Sequence, residues 1–544
     1  MVETVARLLS EHVSFRVTSV DRLFVAGYIP GLQFEGGVIR WLLNRGYRIP
    51  SPAGLGHNHD RLVADIERCA TSNGLKIVRF AKRESKEEVA RPHLAGALAE
   101  GRFGIAFIGK AQERVNGWRG FKDAKSDRHS EGHPHFTYRR QSLMVDHFYF
   151  YIADPEWGPT FVKLCPYAPY GLWVWANGHE WAKQQLAKEG VDVEALDNGL
   201  RSVSDPAAAR RVCARLSAGH VRGLLDRSLR LIPSALSVED RDAGFGYDWS
   251  VRQLEVSDTA VFDRPQNGRA WFEHAIRDHL DLGRPEQVTL IVNRKIILRG
   301  PRPTPGRFET RVITRDVDPQ IQVRYRASKV KAYFKEQRAL RVETTINDPG
   351  DFGVGRRLTA DNWSALRRVG ADTNRRFLAA LGEGEQRPPD ATTLQSVVLP
   401  STTDDGLRAP GLRFGDPRVM ALLASIASFN HVVGGVTNAG LRHLMSGLFD
   451  DGYTSKKASY DLRRLVRKGL LERVPHTHTY RVTDHGRRVA SLFTKLGARV
   501  VVPVLSELED PLRPRAPAPR PVIAAWRDYE KELHALINTA GIPA

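Results

Sequence analysis

The sequence predicts a mixed α/β, multidomain fold with an N-terminal α/β unit, a central α+β region rich in antiparallel sheet, and a C-terminal winged helix-turn-helix. Three observations lead there. The chain has 544 residues, and single hydrophobic cores stop growing at ~250–300 residues. Apolar spacing switches repeatedly between the helical period of 3.6 and the strand period of 2. The stretch Gly435 to Leu496 carries helix, helix and hairpin signals in succession.

Taken in order, Val38-Ile-Arg-Trp-Leu-Leu43 and Asp60 to Cys69 read as helices, and Gly74 to Phe80 and Phe103 to Gly109 as strands. They define an α/β domain over 1–120. Residues 121–204 form an aromatic sheet plus a helix. A polar, His-rich loop runs from Asp123 to Arg139. A hairpin then begins at Leu143, turns at Asp154-Pro155-Glu156-Trp157-Gly158-Pro159 and resumes at Thr160, turn chemistry in the right place. Leu172 to Trp175 adds a third strand, and a helix starts at His179. Alternation sends Phe148, Phe150 and Ile152 to the core and Tyr149 and Tyr151 to the opposite face, where they are candidates to stack unpaired bases.

Residues 205–381 read as a basic α+β domain, mainly helical over 205–285 and mainly β over 286–346, with strands near 287–293, 308–314, 321–325 and 338–346. A Pro/Asp/Thr-rich linker covers 382–413, the winged helix 414–502, and a Pro-rich tail with a terminal helix 503–544. There is no internal repeat.

Within the winged helix, Gly435 to Met445 gives the first helix, and Tyr453-Thr454-Ser455 offers an N-cap for a second. Ala458, Leu462, Leu465 and Val466 form one apolar stripe. The remaining surface carries Lys456, Lys457, Arg463, Arg464, Arg467 and Lys468, suited to phosphates and base edges. Gly469 stands where a C′ glycine belongs. Leu470 to Val474 and Tyr480 to Thr483 make the wing, which brings Arg473.

The formal net charge is +19. Such a balance favours a polyanionic partner, nucleic acid before membrane and double-stranded DNA first. No apolar run approaches the ~20 residues of a membrane span, and the N-terminus lacks the pattern of a signal peptide. Cys69, Cys165 and Cys213 are isolated, which fits a reducing cytoplasm and excludes a thiolate zinc site. The expected location is cytoplasmic, on the nucleoid when DNA-bound. The glycines of Gly350 to Gly355 lack the Lys-Ser/Thr of a phosphate loop, and no Gly-x-Ser-x-Gly elbow is present, so no nucleotide or organic cofactor is expected. The oligomeric state is left open.

Residues 321–341 hold seven Lys/Arg against one acid, Glu336. Alternation puts Arg341 and Glu343 on one strand face, and Tyr333 shares a face with Lys335. A carboxylate among basic groups can bind a divalent cation, Mg²⁺ or Mn²⁺, while its neighbours hold phosphates, Lys329 and Lys331 among them. A tyrosine beside it can attack a phosphodiester. Tyr333-x-Lys335 followed by Leu340-Arg341-x-Glu343 resembles a pattern of rolling-circle plasmid and filamentous-phage replication initiators, over residues 333–346. The body of the chain, around His147-Phe-Tyr-Phe-Tyr151, Asn177-Gly-His-Glu-Trp181 and Arg341-Val-Glu-Thr-Thr345, is similar to bacterial proteins without assigned function.

The initiator resemblance implies a DNA-binding protein of replication-initiator or mobile-element type acting as a metal-dependent nicking endonuclease. In that reading Tyr333 is the nucleophile, Glu343 the metal ligand or base, and Lys335 and Arg341 hold phosphate. Asp154, His179 and Glu180, at strand ends and a helix start, are further candidate ligands, although Asp154 also suits a turn and Asn177 to Glu180 a capping box. His133-Pro134-His135 has strand spacing for two imidazole ligands, with Pro134 against a central strand. Two non-catalytic or different readings stay open: a winged-helix transcriptional regulator without enzymatic activity, and a single-stranded RNA-binding or processing protein.

Overall fold

The computed structural model describes residues 9, 11–122, 134–196, 198–283, 287–291, 309–315, 318–336, 338–382, 389–403, 406–428, 430–448, 452–497, 528 and 531. His133 and nearly all of the 503–544 tail lie outside them, and Pro134 and His135 precede the strand that begins at Phe136 rather than forming part of it. The chain is mixed α/β around one large sheet. Among the described residues no helix is long and apolar enough to cross a membrane.

Among the described residues the strands that precede residue 350 are β1 (Val13–Tyr28), β2 (Ile77–Arg79), β3 (Gly104–Lys122), β4 (Phe136–Asp154), β5 (Gly158–Leu164), β6 (Leu172–Asn177), β7 (Val193–Ala195), β8 (Leu200–Val203), β9 (Asp248–Phe262), β10 (Gln287–Ile291), β11 (Glu309–Arg315), β12 (Asp318–Tyr325), β13 (Ser328–Lys335) and β14 (Ala339–Ile346). All but β7 and β8 join one twelve-stranded sheet, in the order β10-β11-β12-β13-β14-β9-β1-β6-β5-β4-β3-β2. Its pairs are antiparallel except β10 with β11 and β2 with β3. The boundaries expected at 120/121 and 204/205 therefore fall inside one sheet. Strand pairing overrides them, because β1 joins β6 on one side and β9 on the other.

Two central strands differ from the sequence expectation. β1 alternates as Val-Ser-Phe-Arg-Val but changes register between Val20 and Leu23, where Asp21 and Arg22 form a bulge. That bulge hides the period from a simple count. β9 lies in the span read as mainly helical, although Val251, Val256, Thr259 and Val261 give it β-branched character.

One face of β9 and β14 carries Leu254, Val256, Leu340 and Val342, all buried. The helix Ala360–Leu381 covers this face, and Asn374 Nδ2 donates to the carbonyl of Val256 at 2.8 Å while Thr344 donates to Asn374 Oδ1 at 2.6 Å. The other face carries Glu255, Ser257, Arg341 and Glu343. On β3 and β4, Tyr149 and Tyr151 are buried with Phe80, Phe107 and Ala90 beneath the helix Lys86–Ala99, so neither presents a free ring to a base. Tyr149 donates instead to Glu113, which also pairs with Lys86 and Lys163.

The C-terminal unit has its own core, including Leu422, Leu441, Met445, Leu462, Leu465 and Val489. Its helices are Pro417–Ala427, Asn430–Gly434, Asn438–Leu448, Ser455–Arg467 and Asp484–Leu496, with a three-stranded sheet ordered 436–437, 479–482, 471–473. Much of the expected 382–413 linker belongs to this unit. Ala391–Val398 is a helix, and Val397 and Leu412 are fully buried in the same core. The unit docks on the body through Val432 and Val433, which join Val323, Val342 and Phe377 in a shared cluster.

Candidate functional site

On the face of the sheet away from that docking surface, alternation and register bring charged residues from three neighbouring strands together. Tyr333 stands opposite Arg341 and Lys331 opposite Glu343 between β13 and β14, and Glu343 stands opposite Ser257 between β14 and β9. The β1 bulge adds Asp21. Asp21, Glu255 and Glu343 are buried, and one carboxylate oxygen from each lies within 4.8 Å of the others. Glu343 receives the Lys331 ammonium at 3.0 Å on one oxygen and the Tyr333 hydroxyl at 3.1 Å on the other. Glu255 accepts from Thr345 Oγ1 at 3.2 Å and Gln253 Nε2 at 3.1 Å.

Burial first, then the neighbouring Glu343 and Asp21 carboxylates, push the Glu255 carboxyl up to about 7. Burial and the Glu343 carboxylate also push the Tyr333 phenol upward. Burial draws the Lys329 ammonium below its usual range, with Lys331 adding to the effect.

Arg341 does not hold a phosphate here, contrary to the sequence expectation. It is fully buried and donates to Asp21, to the carbonyl of Asn198 and, at 2.9 Å, to His179 Nε2. Its role is to neutralise and fix Asp21. The same contact removes His179 as a metal ligand, because its acceptor nitrogen faces a guanidinium. Burial, reinforced by the Arg341 charge, holds its pKa well below the usual histidine range. Asp154 is not a ligand of this cluster either. It accepts from the backbone N–H groups of Glu156 and Trp157 at 2.9 and 3.0 Å and pairs with Arg227 at 2.9 Å, the turn role its sequence also suits. Glu180 pairs with Lys183 at 2.7 Å in a helix that Asn177 caps through the His179 and Glu180 N–H groups. Lys335 lies 3.6 Å from Glu336.

Three carboxylates are hard oxygen donors of the kind Mg²⁺, Mn²⁺ or Ca²⁺ takes. Arg341 and Lys331 already offset two of their charges. A cation would therefore have to displace Lys331 from Glu343 before that residue could serve as a ligand.

The second assembly is the basic helix Ser455–Arg467. Thr454 caps it, accepting from the Lys457 N–H at 3.3 Å, and Ala458, Leu462 and Leu465 are buried. Asp461 is buried as well, held by Arg418 at 2.8 Å and the Tyr453 hydroxyl at 2.6 Å. Lys456, Lys457, Ser459, Tyr460 and Arg463 are exposed, as is Arg473 on the neighbouring strand. The last turn departs from expectation. Arg464 donates to the Pro410 and Gly411 carbonyls and Arg467 to that of Arg408. Lys468 is buried and donates to Ser396 O, Leu399 O and Ser401 Oγ at 2.7, 2.6 and 2.8 Å. These three cations hold residues 396–401 and 408–411 rather than an outside ligand. Gly469 takes a φ of +69°, the left-handed C′ conformation its position predicts.

Comparison with protein-family models, with curated proteins and with solved structures gives no match. The functional reading therefore rests on these two assemblies. Tyr333, Glu343 and Lys331 stand out in the sequence, whereas Asp21 and Glu255 lie on strands that no simple alternation marks. The available signal is an acid next to a β-branched valine, as in Val20-Asp21 and Glu255-Val256.

Proposed function

We propose that this chain is a DNA-binding protein that engages duplex DNA through a winged helix spanning residues 417–496. One observation carries the reading: the second of two successive helices buries its apolar stripe and exposes Lys456, Lys457, Ser459, Tyr460 and Arg463 over its first three turns, beside a hairpin bearing Arg473. In a helix-turn-helix the N-terminal part of the second helix meets the base edges, and the flanking cations meet phosphates. The excess of 81 Lys and Arg over 62 Asp and Glu agrees with a polyanionic partner.

A second reading adds strand cleavage, the activity of the replication initiators that residues 333–346 resemble. The Tyr333 hydroxyl lies 3.1 Å from Glu343, the distance of a nucleophile from its base. Glu343 accepts the phenol proton, the Tyr333 oxygen forms a phosphotyrosyl bond as the P–O bond to the leaving sugar breaks, and the departing sugar oxygen takes up a proton from water to leave as a hydroxyl. Mg²⁺ or Mn²⁺ held by Asp21, Glu255 and Glu343 would supply charge stabilisation, and with it the cation that brings the Tyr333 pKa down. Lys329 and Lys331 would then face the phosphate. This cluster and the winged helix sit on opposite sides of the sheet, so the cleaved stretch differs from the stretch the winged helix grips.

The test is to measure duplex binding by anisotropy and nicking of labelled single strands and supercoiled plasmid with Mn²⁺. Binding with a covalent DNA–protein adduct that Tyr333→Phe abolishes supports both readings. Binding without cleavage leaves a regulator. Absence of duplex binding refutes the proposal.

A further inference from the structure

A cavity of about 520 Å³ lies where the C-terminal unit meets the body, on the side of the sheet away from the carboxylate cluster. Such a volume suits a small organic ligand. Four guanidinium groups line it: Arg326 at the end of β12, Arg376 on the Ala360–Leu381 helix, and Arg481 and Arg487 from the C-terminal unit. Against them stand Asp351 and Asp372 on the lining and Asp484, which pairs with Arg487. Asp351 is engaged by the Ser328 hydroxyl at 2.7 Å and the Ala327 N–H at 3.2 Å, and Asp372 pairs with Arg375.

Arg376 donates to the carbonyl of Val432 at 2.8 Å and to Thr373 Oγ1 at 3.1 Å, so its position is fixed by neutral acceptors. Burial, followed by the charges of Arg481, Arg375 and Arg487, brings its pKa down to about 10, partly offset by Asp372. His431, also on the lining, has both ring nitrogens turned to carbonyls, those of Gly435 at 3.3 Å and Ser425 at 2.8 Å. Rings and aliphatic groups such as Phe352 and Ile426 make the rest of the wall.

We propose that this cavity binds a small organic oxyanion, a phosphorylated or carboxylated metabolite, between the arginines of the body and those of the C-terminal unit. Planar guanidinium forks match carboxylate and phosphate oxygens two at a time, and the apolar wall takes the carbon skeleton. An occupant bridges both units, since Arg326 and Arg376 belong to one and Arg481 and Arg487 to the other. Arg481 lies on the strand Thr479–Val482, which the winged-helix reading makes part of the wing. On that reading, the ligand sets how firmly the wing is held against the body and so modulates duplex affinity.

The experiment uses the full chain, first without DNA, with inorganic phosphate and citrate as probes and sodium chloride added to hold ionic strength constant, and then with labelled duplex to read affinity by anisotropy. Binding is read by calorimetry and by the thermal midpoint. Wild type should give saturable binding and a rise of several degrees with at least one probe. Arg481→Gln and Arg326→Gln should each weaken it at least fivefold, and Ser491→Phe, which fills the cavity, should abolish it. Near-UV circular dichroism of each variant verifies the fold. Equal responses from wild type and all three variants, or no response to either probe, overturn the proposal. So does a loss of duplex affinity in Arg481→Gln and Arg326→Gln with probe binding unchanged, which would assign the arginines to the DNA backbone. Failure of the winged-helix reading looks different: probe binding persists as expected while Lys456→Glu leaves duplex affinity untouched.

Discussion

Replacing Glu255 by Gln isolates the energetic character of the carboxylate cluster. Burial and the facing Glu343 and Asp21 carboxylates raise the Glu255 carboxyl from 4.5 to about 7, with Arg22 and Lys331 opposing them. The folded chain thus holds this proton more tightly than the unfolded chain does. The resulting stabilisation is fully present below about pH 4.5 and is lost as pH rises through about 7. A shift of that size corresponds to about 3 kcal/mol above both values, at 1.36 kcal/mol per pH unit. Gln keeps an acceptor for Thr345 and Gln253 and cannot ionise, so Glu255→Gln should remove this part of the pH dependence and stabilise the body at pH 8.5 by about 3 kcal/mol relative to wild type. Urea unfolding followed by tryptophan fluorescence reads the body directly, because nine of the ten tryptophans lie between Trp41 and Trp363. Mn²⁺ gives a second handle. A cation favours the ionised carboxylate, so its stabilising effect on wild type should be greater at pH 8.5 than at pH 6 and should shrink in the variant. Identical pH slopes for wild type and Glu255→Gln between pH 5 and 8.5 would refute the reasoning.

Arg341→Met should destabilise the body by about 3–5 kcal/mol, since it strands the buried Asp21 charge. Pairing it with Asp21→Leu should cost less than the two single changes summed, as a double-mutant cycle in urea will show. Lys456→Glu combined with Lys457→Glu should weaken duplex binding and lower the salt dependence by about two phosphate contacts, close to 0.9 in slope for each. Lys468→Met should leave that slope unchanged and lower the stability of the C-terminal unit by about 1–3 kcal/mol, because its ammonium serves chain carbonyls.

Much of this fold can be read locally. Thr454 caps its helix, Gly469 ends it in the left-handed region, and β14 alternates Leu340 and Val342 against Arg341 and Glu343, all as their spacing implies. The joining of distant segments was not legible. Asp21 reaches Arg341 across 320 residues, and no local period encodes such a pairing. The bulge after Val20 also shifts β1 out of simple alternation, and the polar residues of β9 mask it as helix. Arg464, Arg467 and Lys468 illustrate a second limit. Their helical phase marks them as solvent-facing, yet the oxygens of Ser396, Leu399, Ser401, Arg408, Pro410 and Gly411 accept their hydrogen bonds.

The central place of β1 in the sheet has a consequence for biosynthesis. Its partners are β6 and β9, so one edge of β1 is completed only after residues 248–262 have been made. At ~5–20 residues per second, the delay between synthesis of Tyr28 and Phe262 is on the order of 10–50 s. Throughout that interval the apolar residues Phe15, Val17, Leu23 and Val25 belong to a strand with an open side, the condition under which a nascent chain pairs with the wrong edge. Slowed translation before β9 should therefore lower the yield of folded protein more than the same pause placed after it.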